Sequence, residues 1–144
     1  MSRNVTETQT DNPTAQVSGG CFCGAVRFTI DLPSKWCAHC HCSMCRRVHG
    51  AGYVTWVGVD SANFHLTGDA SRLQWFESSP GARRGFCKTC GSSMLFESSR
   101  WSGETHVALA SLDQPIDRKP QAHAFYSAHV EWMPADESLT IVKE

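Results

Sequence analysis

Cys37-Ala38-His39-Cys40-His41-Cys42-Ser43-Met44-Cys45 places four thiols within one short stretch of chain. Two further clusters lie on either side of it, Cys21-Phe22-Cys23 and Cys87-Lys88-Thr89-Cys90, so all eight cysteines fall into three groups. Neighbouring thiols on short loops converge readily on one tetrahedral soft ion, and Cys-x-Cys pairs reach disulfide geometry within themselves only with difficulty. The pattern points to zinc and to a small fold stapled by it.

The clusters divide by the number of sulfurs they offer. Cys21, Cys23, Cys87 and Cys90 bring two pairs from distant parts of the chain, the closed four-sulfur set of a structural site. Gly24 and Gly91 follow the two pairs, where backbone wrapping a metal needs torsions that glycine adopts cheaply. Cys40-x-Cys42-x-x-Cys45 offers three sulfurs and leaves a fourth position, as catalytic zinc sites do. Two other readings stay open. Cys37, or one of His39, His41 and His49, closes the second site and makes it structural, or Cys37-x-x-Cys40 is a metal-free redox pair. Three thiolates make zinc a weak activator of water, so an open site favours sulfur chemistry, in which a substrate thiol is ionised and attacks a carbonyl. Arg46 and Arg47 follow the last ligand, placed either to hold a substrate carboxylate and offset negative charge or to be a solvated surface pair.

A length of 144 residues suits one domain, read as a polar tail over 1–18 and a zinc domain over 19–144. The net charge of -1 gives no electrostatic attraction to nucleic acid or to an anionic membrane surface, and no apolar run is long enough to span a bilayer. Met1 to Gln16 does not read as a secretory signal. A cytoplasmic location is expected, where clustered thiols are more often metal ligands than bridges.

Alternation of apolar and polar residues predicts strands over 26–31, 53–59, 63–67 and 72–77, with further strands over 93–96, 105–109 and 121–126. One short helix is expected, with Ser43 as its cap, Cys45 to His49 as its body and Gly50 as its terminator. A helix start there favours the thiolate form of a nearby cysteine. Exposed sheet edges allow pairing into a homodimer.

Three ordered motifs carry a resemblance: Gly20-Cys21-Phe22-Cys23-Gly24-Ala25-Val26-Arg27-Phe28, then Cys40-His41-Cys42-Ser43-Met44-Cys45-Arg46-Arg47 with Gly50, then Phe86-Cys87-Lys88-Thr89-Cys90-Gly91-Ser92. Together they resemble the glutathione-dependent formaldehyde-activating (GFA) family, which also includes the centromere protein V domain, over about Ser18 to Glu137. The resemblance implies a mainly β, Mss4-like tent with two zinc sites. It assigns Cys21, Cys23, Cys87 and Cys90 to the structural ion and Cys40, Cys42 and Cys45 to the catalytic one. It implies condensation of glutathione with formaldehyde, classed in reverse as a carbon-sulfur lyase. Cys37 lies outside the motif.

Closer to the C-terminus, His123 reads either as a proton shuttle facing the site or as a satisfied strand-edge histidine. Trp56, Trp75, Trp101 and Trp132 offer pocket walls or core, and Arg83 with Arg84 an anion site or an exposed edge, the latter preferred. The leading expectation is a zinc enzyme joining a small thiol and an aldehyde. Its alternative is a non-catalytic zinc module binding a protein or nucleic-acid partner.

Overall fold

The computed structural model describes residues 15–144. Strands β1 (Gln16–Gly20), β2 (Arg27–Asp31) and β5 (Phe64–Leu66) form a small antiparallel sheet in the order β1-β2-β5. The remaining strands are β3 (Trp36–Cys40), β4 (Val54–Asp60), β6 (Leu73–Ser79), β7 (Ala82–Cys87), β8 (Ser93–Ser98), β9 (Glu104–Ala108), β10 (Ala122–Ala124) and β11 (Thr140–Ile141). They form a larger sheet in the order β11-β10-β3-β4-β9-β8-β7-β6, antiparallel except where β10 joins β3 and β11. One α-helix, α1 (Ser43–His49), occurs among the described residues. This is the mainly β class with a single short helix that the sequence implied.

The small sheet covers one face of the large one. Phe28 and Ile30 of β2 are fully buried, and they pack with Val17, Val57, Val59, Leu95 and Val107 into the main core. Burying each such side chain contributes roughly 1.5–3 kcal/mol. A Cβ on Gly19 would stand 2.6 Å from the Ser111 carbonyl oxygen, so only glycine lets β1 lie this close to its neighbour. The opposite face of the large sheet carries a second cluster, Cys40, Cys45, Val54, Trp56 and Ala108, with Phe96 and Phe125 against it. Helix α1 packs on this side.

Some boundaries differ from expectation. Gln16, Val17 and Ser18, assigned to the tail by sequence, pair with Asp31, Ile30 and Thr29 in β1. The remainder of the tail assignment, residues 1–14, lies outside the described residues. Cys42, not Ser43, caps α1: its backbone is extended and its sulfur accepts from the Cys45 N–H at 3.2 Å. Gly50 ends the helix with φ 62°, as expected of a left-handed terminator.

Candidate metal centre

The turn between β1 and β2 brings Cys21 and Cys23 against Cys87, the last residue of β7, and Cys90 in the turn that follows it. Cys21 Sγ lies 3.7 Å from Cys23 Sγ, which lies 3.8 Å from Cys87 Sγ, and all four sulfurs fall within 4.8 Å of one another. Tetrahedral zinc with bonds of about 2.3 Å holds its sulfurs about 3.8 Å apart. The donor set therefore fits such an ion. Gly24 and Gly91 have φ 85° and 83°, the left-handed torsions that tight wrapping requires. Backbone N–H groups also converge on the sulfurs: Val26 donates to Cys21 at 3.3 Å, and Thr89 and Cys90 donate to Cys87 at 3.3 and 3.4 Å. At Cys21 burial is outweighed by the Val26 donation and by the neighbouring sulfurs of Cys87 and Cys23, and the thiol is lowered from its ordinary value. The Ser92 hydroxyl, 3.1 Å from Cys90 Sγ, helps to hold that thiol at about 5.

The second group stands where β3 ends and α1 begins. Cys40 is the last residue of its strand, Cys42 caps the helix, and Cys45 lies on the buried side of the first turn. Cys45 Sγ is 3.5 Å from Cys40 Sγ, and the three sulfurs again fall within 4.8 Å of one another. No fourth histidine, cysteine or carboxylate joins them among the described residues. Donation from Cys40, then from Cys45 and its backbone, with the charge of Arg84 nearby, holds Cys42 well below the ordinary thiol range. The same contacts and burial push Cys40 up. All eight cysteines are free.

Strand geometry separates Cys37 from this group. Three residues apart on β3, Cys37 and Cys40 point to opposite faces, and Cys37 sits fully buried in the main core. Burial pushes its thiol up to about 11. The histidines are engaged elsewhere. His39 Nδ1 lies 2.8 Å from the Thr55 hydroxyl, and His41 Nε2 lies 2.9 Å from His123 Nδ1. His123 Nε2 is 2.7 Å from the Asp136 carbonyl oxygen, which can only accept, so His123 donates there and accepts from His41. His123 is in register with His39, and Ala124 with Cys40, which puts His123 on the face away from the three sulfurs. It does not face the site as a shuttle would.

His49 is closer, edge-on to Trp56 at 5.4 Å, and burial, with the Arg84 charge, pushes it down to about 4. Arg47 is exposed, whereas Arg46 buries its Nε without a hydrogen-bond partner. The expected arginine edge is only half present. Arg83 is on the surface with Glu97 at 2.7 Å, but Arg84 is buried and donates from both terminal nitrogens to Cys45 Sγ at 3.6 and 3.7 Å. Of the tryptophans read as pocket walls or core, Trp56 adjoins the three sulfurs, Trp75 lies under Arg83, Trp101 packs on Phe96 and His106, and Trp132 is exposed.

Phe125 also packs against the three-sulfur cluster, and it holds φ 54°, a torsion that costs a bulky residue on the order of 1–3 kcal/mol. Nothing in its local sequence signals that torsion.

The family model for glutathione-dependent formaldehyde-activating enzymes matches residues 16–128. The chain belongs to this family. A GFA relative in Halomonas elongata, provisionally described as a glutathione-dependent formaldehyde-activating enzyme, is 29% identical over 126 residues, covering 81% of this chain and 79% of that protein. Among solved structures, a Rhodobacter sphaeroides protein superposes with a TM-score of 0.59 at 26% identity, covering 70% of this chain and 92% of that one. The matched GFA region spans both cysteine groups.

Proposed function

We propose that the chain is a zinc enzyme of carbon-sulfur lyase type, joining glutathione or a similar small thiol to formaldehyde or another small aldehyde and catalysing the reverse. The observation that carries this reading is the Cys40–Cys42–Cys45 group, three converging sulfurs with no fourth protein ligand among the described residues. The family membership supplies the substrate names.

In this reading Cys21, Cys23, Cys87 and Cys90 hold a structural zinc, and Cys40, Cys42 and Cys45 hold the catalytic one. A zinc ion held by Cys40, Cys42 and Cys45 would supply positive charge that favours the ionised form of a substrate thiol, whereas three thiolate ligands would leave it a poor activator of water. The protein's own residues do the rest. Trp56, Phe96 and Phe125 wall the group with apolar surface and limit water beside it. In this reading Arg46 and Arg47, which follow Cys45 in α1, bind a substrate carboxylate. As the sulfur–carbon bond forms, the carbonyl π pair moves to oxygen, which takes up the proton that the thiol released. Orientation contributes most of the acceleration, because thiol addition to an aldehyde is already easy in water. Reducing cytoplasm is the compartment that suits such free thiols.

Magnetisation-transfer NMR of glutathione–formaldehyde exchange tests the reading. Native protein is expected to raise the exchange rate well above buffer, and Cys42→Ser to return it to the buffer rate. An unchanged enhancement in Cys42→Ser overturns it.

A further inference from the structure

We infer that Arg84 is the fixed counter-charge of the Cys40–Cys42–Cys45 group, positioning Cys45 and setting how tightly the group holds its metal. The inference rests on the metal-binding half of the proposed function and is independent of the substrate.

Arg84 has 3% of its surface exposed, and a guanidinium does not lose its proton in a protein. A buried charge of this kind needs a partner of opposite sign. Its neighbour Arg83 points out to a carboxylate, Glu97, but no ion pair joins Arg84 to any carboxylate among the described residues. What Arg84 has is sulfur: two terminal N–H groups aimed at Cys45 Sγ, with the guanidinium 4.8 Å from the centre of the Phe96 ring. Its Nε is buried without an acceptor, a cost that the contact with sulfur must outweigh.

Charge arithmetic gives the contact its purpose. Three thiolates around a divalent ion carry a net charge of about -1, and one arginine brings the assembly to neutrality. A neutral assembly is far easier to keep in an apolar cluster of Trp56, Val54, Phe96 and Phe125 than a charged one. The planar fork of arginine also fixes direction, because both donors meet the same sulfur and hold Cys45 toward Cys40. Arg84 is a positioning residue that acts through Cys45.

The test measures both zinc dissociation constants of the full-length protein by competition with a chromophoric chelator, in native protein, Arg84→Gln and Arg84→Lys. The four-sulfur site is the internal control for folding. Arg84→Gln is expected to weaken the second zinc by about 10- to 100-fold and leave the first unchanged, the range found when a residue supporting a metal ligand is removed. Arg84→Lys, which keeps the charge, is expected to recover affinity to within about tenfold of native. Cobalt in the second site should show a shifted thiolate-to-metal charge-transfer band in Arg84→Gln, a change that a purely structural role would not produce. If native protein holds no second metal, the proposed function fails as well. If native protein holds two, and a folded Arg84→Gln keeps the second within twofold of native, the inference alone is overturned. Should Arg84→Gln lose the first zinc too, Arg84→Lys decides: near-native affinity supports the inference, and loss of the second zinc from a folded Lys protein overturns it.

Discussion

Replacing Cys87 by serine removes one sulfur of the four-cysteine group, which under the proposed function is a metal clamp between the small sheet and the large one. Cys23 and Cys87 are 64 residues apart, and closing a loop of that length costs the unfolded chain about 4 kcal/mol of entropy, which such a clamp would already have removed. Net stability of a domain this size is about 5–15 kcal/mol, so losing the clamp takes a large fraction of it even before the metal's own binding energy is counted. At about 2–4 °C per kcal/mol the loop term alone should lower the melting temperature by about 8–16 °C. Cys42→Ser is the matched control. The span between Cys40 and Cys45 is only five residues, for which the same relation gives about 1 kcal/mol. Thermal melts followed by far-UV circular dichroism, with zinc counted before each run, read both variants. A Cys87→Ser fall below about 3 °C, or an equal fall in Cys42→Ser, would refute the division into a clamp and a working site.

Two other expectations follow from burial. Cys37, inside the core and with its thiol pushed up to about 11, should remain unmodified when zinc-loaded protein is treated with iodoacetamide at pH 8, as read by mass spectrometry. Its alkylation at the pace of an exposed thiol would contradict its placement. His41 is pushed down from 6.5 to about 4, first by burial and then by His123, His129 and His39. Between those values the unfolded chain binds the extra proton and the folded one does not. The contribution of His41, on the order of 2 kcal/mol, is therefore complete above pH 6.5 and lost as pH falls through 4. His41→Gln should flatten that acid limb when stability and zinc content are followed together, and a limb that stays as steep rules out this histidine as its source.

How much of this was legible in the sequence varies by strand. Strands β2 and β4 declared themselves because Phe28 and Ile30, or Trp56 with its β-branched neighbours, follow the pleat. The three-sulfur group was equally readable, since its members lie within six residues and need no tertiary information to meet. Strand β3 was not, because Trp-Cys-Ala-His-Cys reads as a ligand loop although it pairs with β4 along its whole length. Strand β7 is hidden for a physical reason: Arg84 occupies an inward position where the period-2 pattern expects an apolar side chain, so its sequence reads as surface. The face on which His123 stands depends on the register of β10 against β3, a long-range property that no local window contains. Cys37 is the converse case. Its spacing of three from Cys40 looked like ligand spacing, but on a strand that spacing sends two side chains to opposite faces.

X-ray absorption at the zinc edge, before and after glutathione is added, bears most directly on the claim that the second group accepts a substrate thiol. With four sulfurs on one ion and three on the other, the mean sulfur number per zinc should be about 3.5, rising to about 4 when glutathione binds. A mean already at 4 without any added thiol, or one that stays at 3.5 under saturating glutathione, would contradict the account.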